Sequence, residues 1–189
     1  RVSAASWEDI QRLDAGGKFK PEFAGLKVPL TEDTLLLYKE AGIWSCFEVK
    51  GGDAEESNRI ALGLAELFEK HNMLDKAFMS SYHHEALQLA KSKCTDLMLA
   101  PERLPDDAPA DPAETVRQAR SFPAPVVQHQ YTVLTEEVVR ELHENDIAVW
   151  SWSTTDEPSM VFSMECGADA LMGDDVQLML EILNRMRPV

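Results

Sequence analysis

Short apolar runs alternating with amphipathic stretches predict an α/β protein with a parallel sheet, of the TIM (β/α)8 barrel type or a doubly wound sheet. Two observations carry that class. Six apolar runs are each trailed by a stretch with helical spacing, and strand–helix–strand repeats imply parallel pairing through right-handed crossovers. The chain of 189 residues is also long enough to bury one good core, with 44% hydrophobic and 27% charged residues, so one domain over residues 1–189 is expected. The six units occupy about 150 residues, whereas a closed barrel of eight needs roughly 250. An eight-stranded barrel would therefore be incomplete here by about two units.

Each element has its own local warrant. Residues 1–26 read as loop, because Gly16-Gly17 and scattered polar residues interrupt any periodicity. Thr31 to Gly42 carries Leu35, Leu36, Tyr38 and Lys39 at helical spacing and ends in a glycine suited to a helix C-terminus. The strand IWSCFEVK follows, and Glu55 to Lys70 then places Ile60, Leu64, Leu67 and Phe68 on one helical face. KAFMSSY reads as a strand and HHEALQLAKSK as its helix. TDLMLAP is the next strand, and it leads into a segment from Pro101 to Pro125 that holds six of the ten prolines. Within it, Asp111-Pro112-Ala113-Glu114 is a helix start, with an N-cap acid, proline in the first turn and Glu three residues after the cap. APVVQHQ, the Thr135-capped LTEEVVRELHEND, IAVWSWSTT, Glu157 to Gly167, ADALMGDD and a last helix to Arg187 complete the series.

Composition excludes several function classes. A formal charge of −15 leaves no basic stripe for a phosphate backbone, so nucleic acid is not an expected partner, and an anionic substrate would need a local cation. Cys46, Cys94 and Cys166 are widely spaced without a CxxC, which suits neither a disulfide framework nor a zinc knuckle and favours a cytoplasmic setting with core thiols. No apolar run approaches a membrane span, so stable membrane insertion is not expected, and no leader is visible from Arg1 onward.

In either α/β architecture, ligand-handling residues gather where strands end and loops begin. Side chains alternate along a strand, so Glu48 and Lys50 must point the same way while Phe47 and Val49 point the other. An acid and a base thus share one strand tip. Taken alone, that pair is as consistent with an exposed ion pair of little energetic worth as with a site. Ser80, Ser81 and Tyr82, then Gln128, His129 and Gln130, then Trp150 and Trp152, then Asp174 and Asp175 fall at the corresponding ends of later strands.

The ordered set resembles the glycerophosphodiester phosphodiesterase family, over the C-terminal three quarters of its domain. The matching residues are FEVKG for the family's E-x-K strand end, MSSYHHEAL for its S-S-F-[DN]-x-x-x-L segment, VWSW for V-W-T-V, and CGADALMGDD for G-[VA]-D-x-[IL]-x-[TS]-D. LDAGGKFKPEFAGLKVPLTEDTL is similar to the stretch that precedes these in the family. No single motif is specific; their order and spacing over nearly the whole chain are. The resemblance implies a (β/α)8 barrel that hydrolyses glycerophosphodiesters to glycerol 3-phosphate and an alcohol with a divalent metal, Mg²⁺ or Ca²⁺. It implies Glu48 as one of three metal carboxylates, Lys50 as a phosphoryl-oxygen partner, and Trp150 on the wall beside the glycerol moiety, with Tyr82 and Trp152 as further pocket residues. For Trp150 and Tyr82, packing is an equal alternative. His129 and the pair His83-His84 are better explained as structural or helix-start histidines than as catalysts.

The departures are as informative. The family's H-R-G, E-x-D and H-D motifs do not occur in residues 1–189, Gly173 stands where Thr or Ser usually precedes the terminal Asp, and Pro29-Leu30-Thr31 replaces P-T-L. The implied acid and base histidines belong to those motifs, so these residues by themselves are expected to be nearly inactive. The alternative is a noncatalytic ligand-binding or scaffold domain of the same fold. In an incomplete barrel the outer strands IWSCFEVK and ADALMGDD would need cover from a segment outside these residues or from a second copy.

Overall fold

Two compact units, Arg1–Ile43 and Trp44–Val189, make up the chain; the computed structural model describes residues 2–104, 111–121 and 124–186. In the first unit, helix α1 (Trp7–Arg12) forms where loop was expected. The Ser6 hydroxyl oxygen caps it by accepting from the Asp9 amide at 3.1 Å, and Glu8 and Asp9 place negative charge in its first turn. These local signals outweigh the absence of periodicity. The glycine pair does make a turn, in which the Asp14 carboxylate accepts from the amides of Gly16 and Gly17 at 3.0 and 2.8 Å. Helix α2 (Thr31–Ala41) ends as predicted on Gly42, whose φ of 69° is the left-handed conformation that glycine adopts without a Cβ penalty.

The second unit is a run of strand–helix pairs. Strands β1 (Ser45–Glu48), β2 (Ala77–Ser80) and β3 (Met98–Leu99) form one parallel sheet, and β4 (Val126–Gln130), β5 (Ala148–Trp152) and β6 (Ala170–Leu171) form another. A parallel bridge between Glu102 and Gln128 joins the two, supported by Gln128 N donating to Pro101 O at 2.8 Å and Arg103 N to Gln128 O at 2.9 Å. The strand order is therefore sequential, β1 through β6. Strands β3 and β6 are shorter than their apolar runs, though single inter-strand hydrogen bonds continue past each: Ala100 N donates to Met79 O at 3.0 Å and Met172 N to Ser151 O at 2.8 Å.

Helices α3 (Ala54–Lys70), α4 (His84–Lys93), α5 (Pro112–Arg120), α6 (Glu136–His143), α7 (Glu157–Glu165) and α8 (Val176–Met186) alternate with the strands. Four carry side-chain caps, three acidic and one hydroxyl: Asp53 accepts from Glu56 N, Asp111 from Glu114 N, Asp156 from Ser159 N, and Thr135 from Val138 N; the caps at Asp111 and Thr135 are the ones expected from the sequence. At α7 the capping box is reciprocal, with the Ser159 hydroxyl returning to the Asp156 amide.

Strand alternation sorts side chains into two layers. On the helix side, Val127 of β4 and Val149 of β5 are fully buried with Ala119, Val138, Val139 and Leu142, and Phe47 of β1 meets the Phe68 ring of α3 edge-on at 5.5 Å. Burying a side chain of this size contributes about 1.5–3 kcal/mol. On the opposite face, Phe78 of β2 and Trp150 of β5 meet edge-on with centroids 4.9 Å apart, packed with Ala100 and Val126. This inner layer spans strands of both sheets, and it forms the floor beneath the strand ends. Cys94 and Cys166 are buried thiols as expected; Cys46 is exposed, on the face of β1 that carries Glu48, where Gln128 Nε2 donates to its Sγ at 3.4 Å.

Candidate active site

A cleft of ≈ 470 Å³ opens at the C-terminal ends of the strands. Glu48 and Lys50 from the end of β1, Tyr82 after β2, Glu102 after β3, Gln128 of β4, Trp152 of β5, and Gly173 and Asp174 after β6 line it. Each strand thus contributes at or near its C-terminal end, where parallel βα units gather ligand-handling residues.

The alternation argument for β1 holds in space. Lys50 Nζ lies 2.9 Å from Glu48 Oε2, and both side chains are open to the cleft. Glu48 and its accompanying charge hold the Lys50 ammonium above its ordinary range. As a solvent-screened pair it contributes at most about 1 kcal/mol to stability. Its position inside the cleft is what distinguishes it from an ordinary surface ion pair.

Glu102, which the strand pattern passed over, is the most buried carboxyl group of the site. It is 4% exposed, and its Oε1 is buried without a hydrogen-bond partner. Its backbone is fixed on three sides: Glu102 N donates to Ser81 O at 3.3 Å, Glu102 O lies 2.6 Å from His84 Nε2, and the bridge to Gln128 holds it beside β4. Burial pushes the Glu102 carboxyl up to about 7, and the neighbouring Glu48 charge pushes the same way, while a hydrogen bond from Tyr82 and the Lys50 charge oppose them. Its only sequence signal was weak: Glu102 follows the apolar run LMLA by two residues, near a strand end as Glu48 and Lys50 are. The proline at 101 hid it, by making the strand appear to stop there.

The aromatic predictions separate. Tyr82 and Trp152 meet edge-on at 5.9 Å and 89° and both line the cleft. Trp152 presents a buried indole N–H with no partner. Trp150, two residues earlier on β5, packs with Phe78 in the floor and does not reach the lining of this cleft. On β4 the face of Gln128 points inward, since Gln128 lines the cleft, while His129 is fully buried on the other face. Burial drives the His129 ring down to about 4, so it is neutral and structural. His84 likewise serves structure, holding the Glu102 carbonyl, and burial lowers its protonation as well.

Gly173 has a steric reason. A Cβ there would overlap the Thr154 carbonyl oxygen and stand 2.6 Å from Met179 Cε, so the loop after β6 passes too close to the end of β5 for any side chain. Asp175 accepts from Leu178 N at 3.0 Å near the start of α8, which leaves Asp174 as the acid facing the cleft.

A family model for the glycerophosphoryl diester phosphodiesterases matches residues 1–178. The chain belongs to this family. It is 21% identical over 178 residues to a glycerophosphodiester phosphodiesterase of Caldanaerobacter subterraneus, covering 94% of this chain and 71% of that protein. Among solved structures, it is similar to an Oleispira antarctica phosphodiesterase in complex with the product sn-glycerol-3-phosphate, at a TM-score of 0.84 and 16% identity over 97% of this chain and 72% of that one. A glycerophosphodiester phosphodiesterase from Parabacteroides distasonis matches at a TM-score of 0.78 and 18% identity, covering 98% and 73%. These likenesses show an α/β fold of the TIM-barrel type.

The chemistry of the acidic groups suits a hard divalent cation: Glu48, Glu102 and Asp174 bring carboxylate oxygens to the cleft, and one oxygen of Glu102 is buried and unpartnered. Among the described residues no trio of His, Cys, Asp and Glu converges closely enough to hold a metal unaided.

Proposed function

We propose that this cleft is the phosphodiester site of a metal-dependent glycerophosphodiesterase, whose products are glycerol 3-phosphate and an alcohol. The supporting observation is the convergence of Glu48 and Lys50 at the strand ends of a chain that belongs to this family. Glu48 is assigned as a ligand to Mg²⁺ or Ca²⁺, and the cation would spread the negative charge of the phosphoryl oxygens. Lys50 is assigned to a phosphoryl oxygen, as a mobile point charge on a flexible stem. Tyr82 and Trp152 form an apolar wall that would orient the glycerol or the alcohol and exclude water from that side. Trp150 supports this wall from the floor.

Residues 1–189 carry no H-R-G or H-D histidines, and His83, His84 and His129 are placed as helix-start or structural groups. General acid–base help is typically worth ~10²- to 10⁴-fold, so these residues alone should turn over slowly. The family match across both compact units favours one domain over 1–189. Strands β1 and β6 each pair with one neighbour among the described residues, which favours an incomplete barrel whose outer edges are covered by a further segment or a second copy. The three free cysteines favour a cytoplasmic setting, and no described helix is long and apolar enough to cross a membrane.

The test is hydrolysis of glycerophosphocholine and glycerophosphoethanolamine by the full gene product with Mg²⁺ or Ca²⁺. Glu48→Gln should abolish it. Full activity in that variant would sink the assignment, and a wild-type product inert toward both substrates would favour the noncatalytic ligand-binding domain.

A further inference from the structure

A carboxyl group buried to 4% exposure ordinarily has a cation or several donors beside it. Glu102 has neither in sufficient number. Lys50 pairs with Glu48, and the guanidinium of the adjacent Arg103 turns to Thr115, with Nε 3.4 Å from its Oγ1. Tyr82 supplies one hydrogen bond, Glu48 stands within hydrogen-bonding reach, and Oε1 has no partner. Two acids thus share one end of the cleft, one of them with a buried oxygen that nothing satisfies.

The backbone around this group is unusually constrained for a residue that follows a two-residue strand. Contacts to Ser81, His84 and Gln128 tie it to β2, α4 and β4 at once, the kind of rigid support that a metal ligand needs to hold its geometry. The carboxylates of Glu48 and Asp174 line the same cleft as Glu102, and carboxylate oxygens are the donors a hard cation takes.

We propose that Glu102 is a second protein ligand, beside Glu48, to the divalent cation of this cleft, bound through the carboxyl oxygen that now has no partner. This rests on the assignment of Glu48 as a ligand. The competing explanation is a carboxylic acid pair sharing one proton, in which Glu102 needs no cation.

Calorimetric titration of the full gene product with Mg²⁺ and with Ca²⁺, without substrate, separates the two. Wild type should bind at least one ion, and Glu102→Gln should weaken that binding at least about tenfold while keeping the wild-type circular dichroism. Glu102→Asp, which keeps the carboxylate on a shorter stem, should recover part of the loss and guards against a folding artefact. Wild-type affinity in Glu102→Gln would overturn the proposal and leave the shared proton. Glu48→Gln is titrated in parallel: if it binds normally while Glu102→Gln does not, Glu102 stands and the Glu48 assignment falls. A wild type that binds neither ion overturns both.

Discussion

Lys50 and Glu48 sit 2.9 Å apart, yet their assigned roles predict different defects. Lys50→Met removes a positive charge from the cleft without removing an oxygen ligand. Turnover by the full gene product should therefore fall by more than about tenfold, equivalent to about 1.4 kcal/mol of transition-state stabilisation, while metal affinity survives. Calorimetry and steady-state kinetics on the same preparation check this; lost metal binding with normal turnover would reverse the two roles. His129 makes a prediction of the opposite kind, about stability alone. Its folded-state value of about 4 lies below the ordinary 6.5 because burial disfavours the imidazolium. The unfolded chain therefore takes up a proton first as pH falls. The folded state loses stability from about pH 6.5 down to about pH 4, by about 3 kcal/mol at most for a shift of this size. His129→Gln removes the titration, so denaturant midpoints of wild type and variant should diverge across that window and run parallel above pH 7.5. Parallel curves throughout would show that His129 carries no such shift.

Elements were legible in the sequence to the extent that they follow local rules. Thr31 to Gly42 was readable from its period and its glycine stop, Glu55 to Lys70 from its apolar face, and the Asp111 start from its cap, and the structure places α2, α3 and α5 accordingly. Alternation along FEVK was enough to put Glu48 and Lys50 together, because the period of a strand leaves no other choice. What was not legible depended on neighbours. Glu102 belongs to the site through a bridge to β4 and a contact from His84, both of which join residues far apart in the chain. The choice of Gln128 over His129 for the inner face required knowing which side of β4 the helices cover. Trp150 and Trp152 share a face and differ only in depth, which the residue pattern does not encode: one meets Phe78 in the floor and the other meets Tyr82 at the opening. Helix α1 shows the reverse error, where a loop was expected and one cap with two acids sufficed for a short helix. Gly173 marks another neighbour effect, since the family's hydroxyl is excluded there by the backbone of Thr154.

Across the second unit as a whole, the order β1 through β6 is continuous, and its two outer strands leave backbone groups without a strand partner among the described residues. Exposed parallel edges are uncommon because each offers unpaired donors and acceptors to other chains. If they are covered, hydrogen exchange in the full gene product should show the outward amides of β1 and β6 protected to the same order as those of β2 and β5. Exchange at the rate of open loops would mean that the edges stand free and that the incomplete-barrel interpretation is wrong. The central claim concerns the cleft at the strand ends, and a crystal structure of the full gene product with sn-glycerol 3-phosphate and Mg²⁺ or Ca²⁺ tests it most directly. The account predicts a phosphoryl oxygen within hydrogen-bond distance of Lys50 Nζ, the cation on Glu48, and the glycerol against Tyr82 and Trp152. Product bound at any other surface, with Glu48 and Lys50 still paired only to each other, would contradict it.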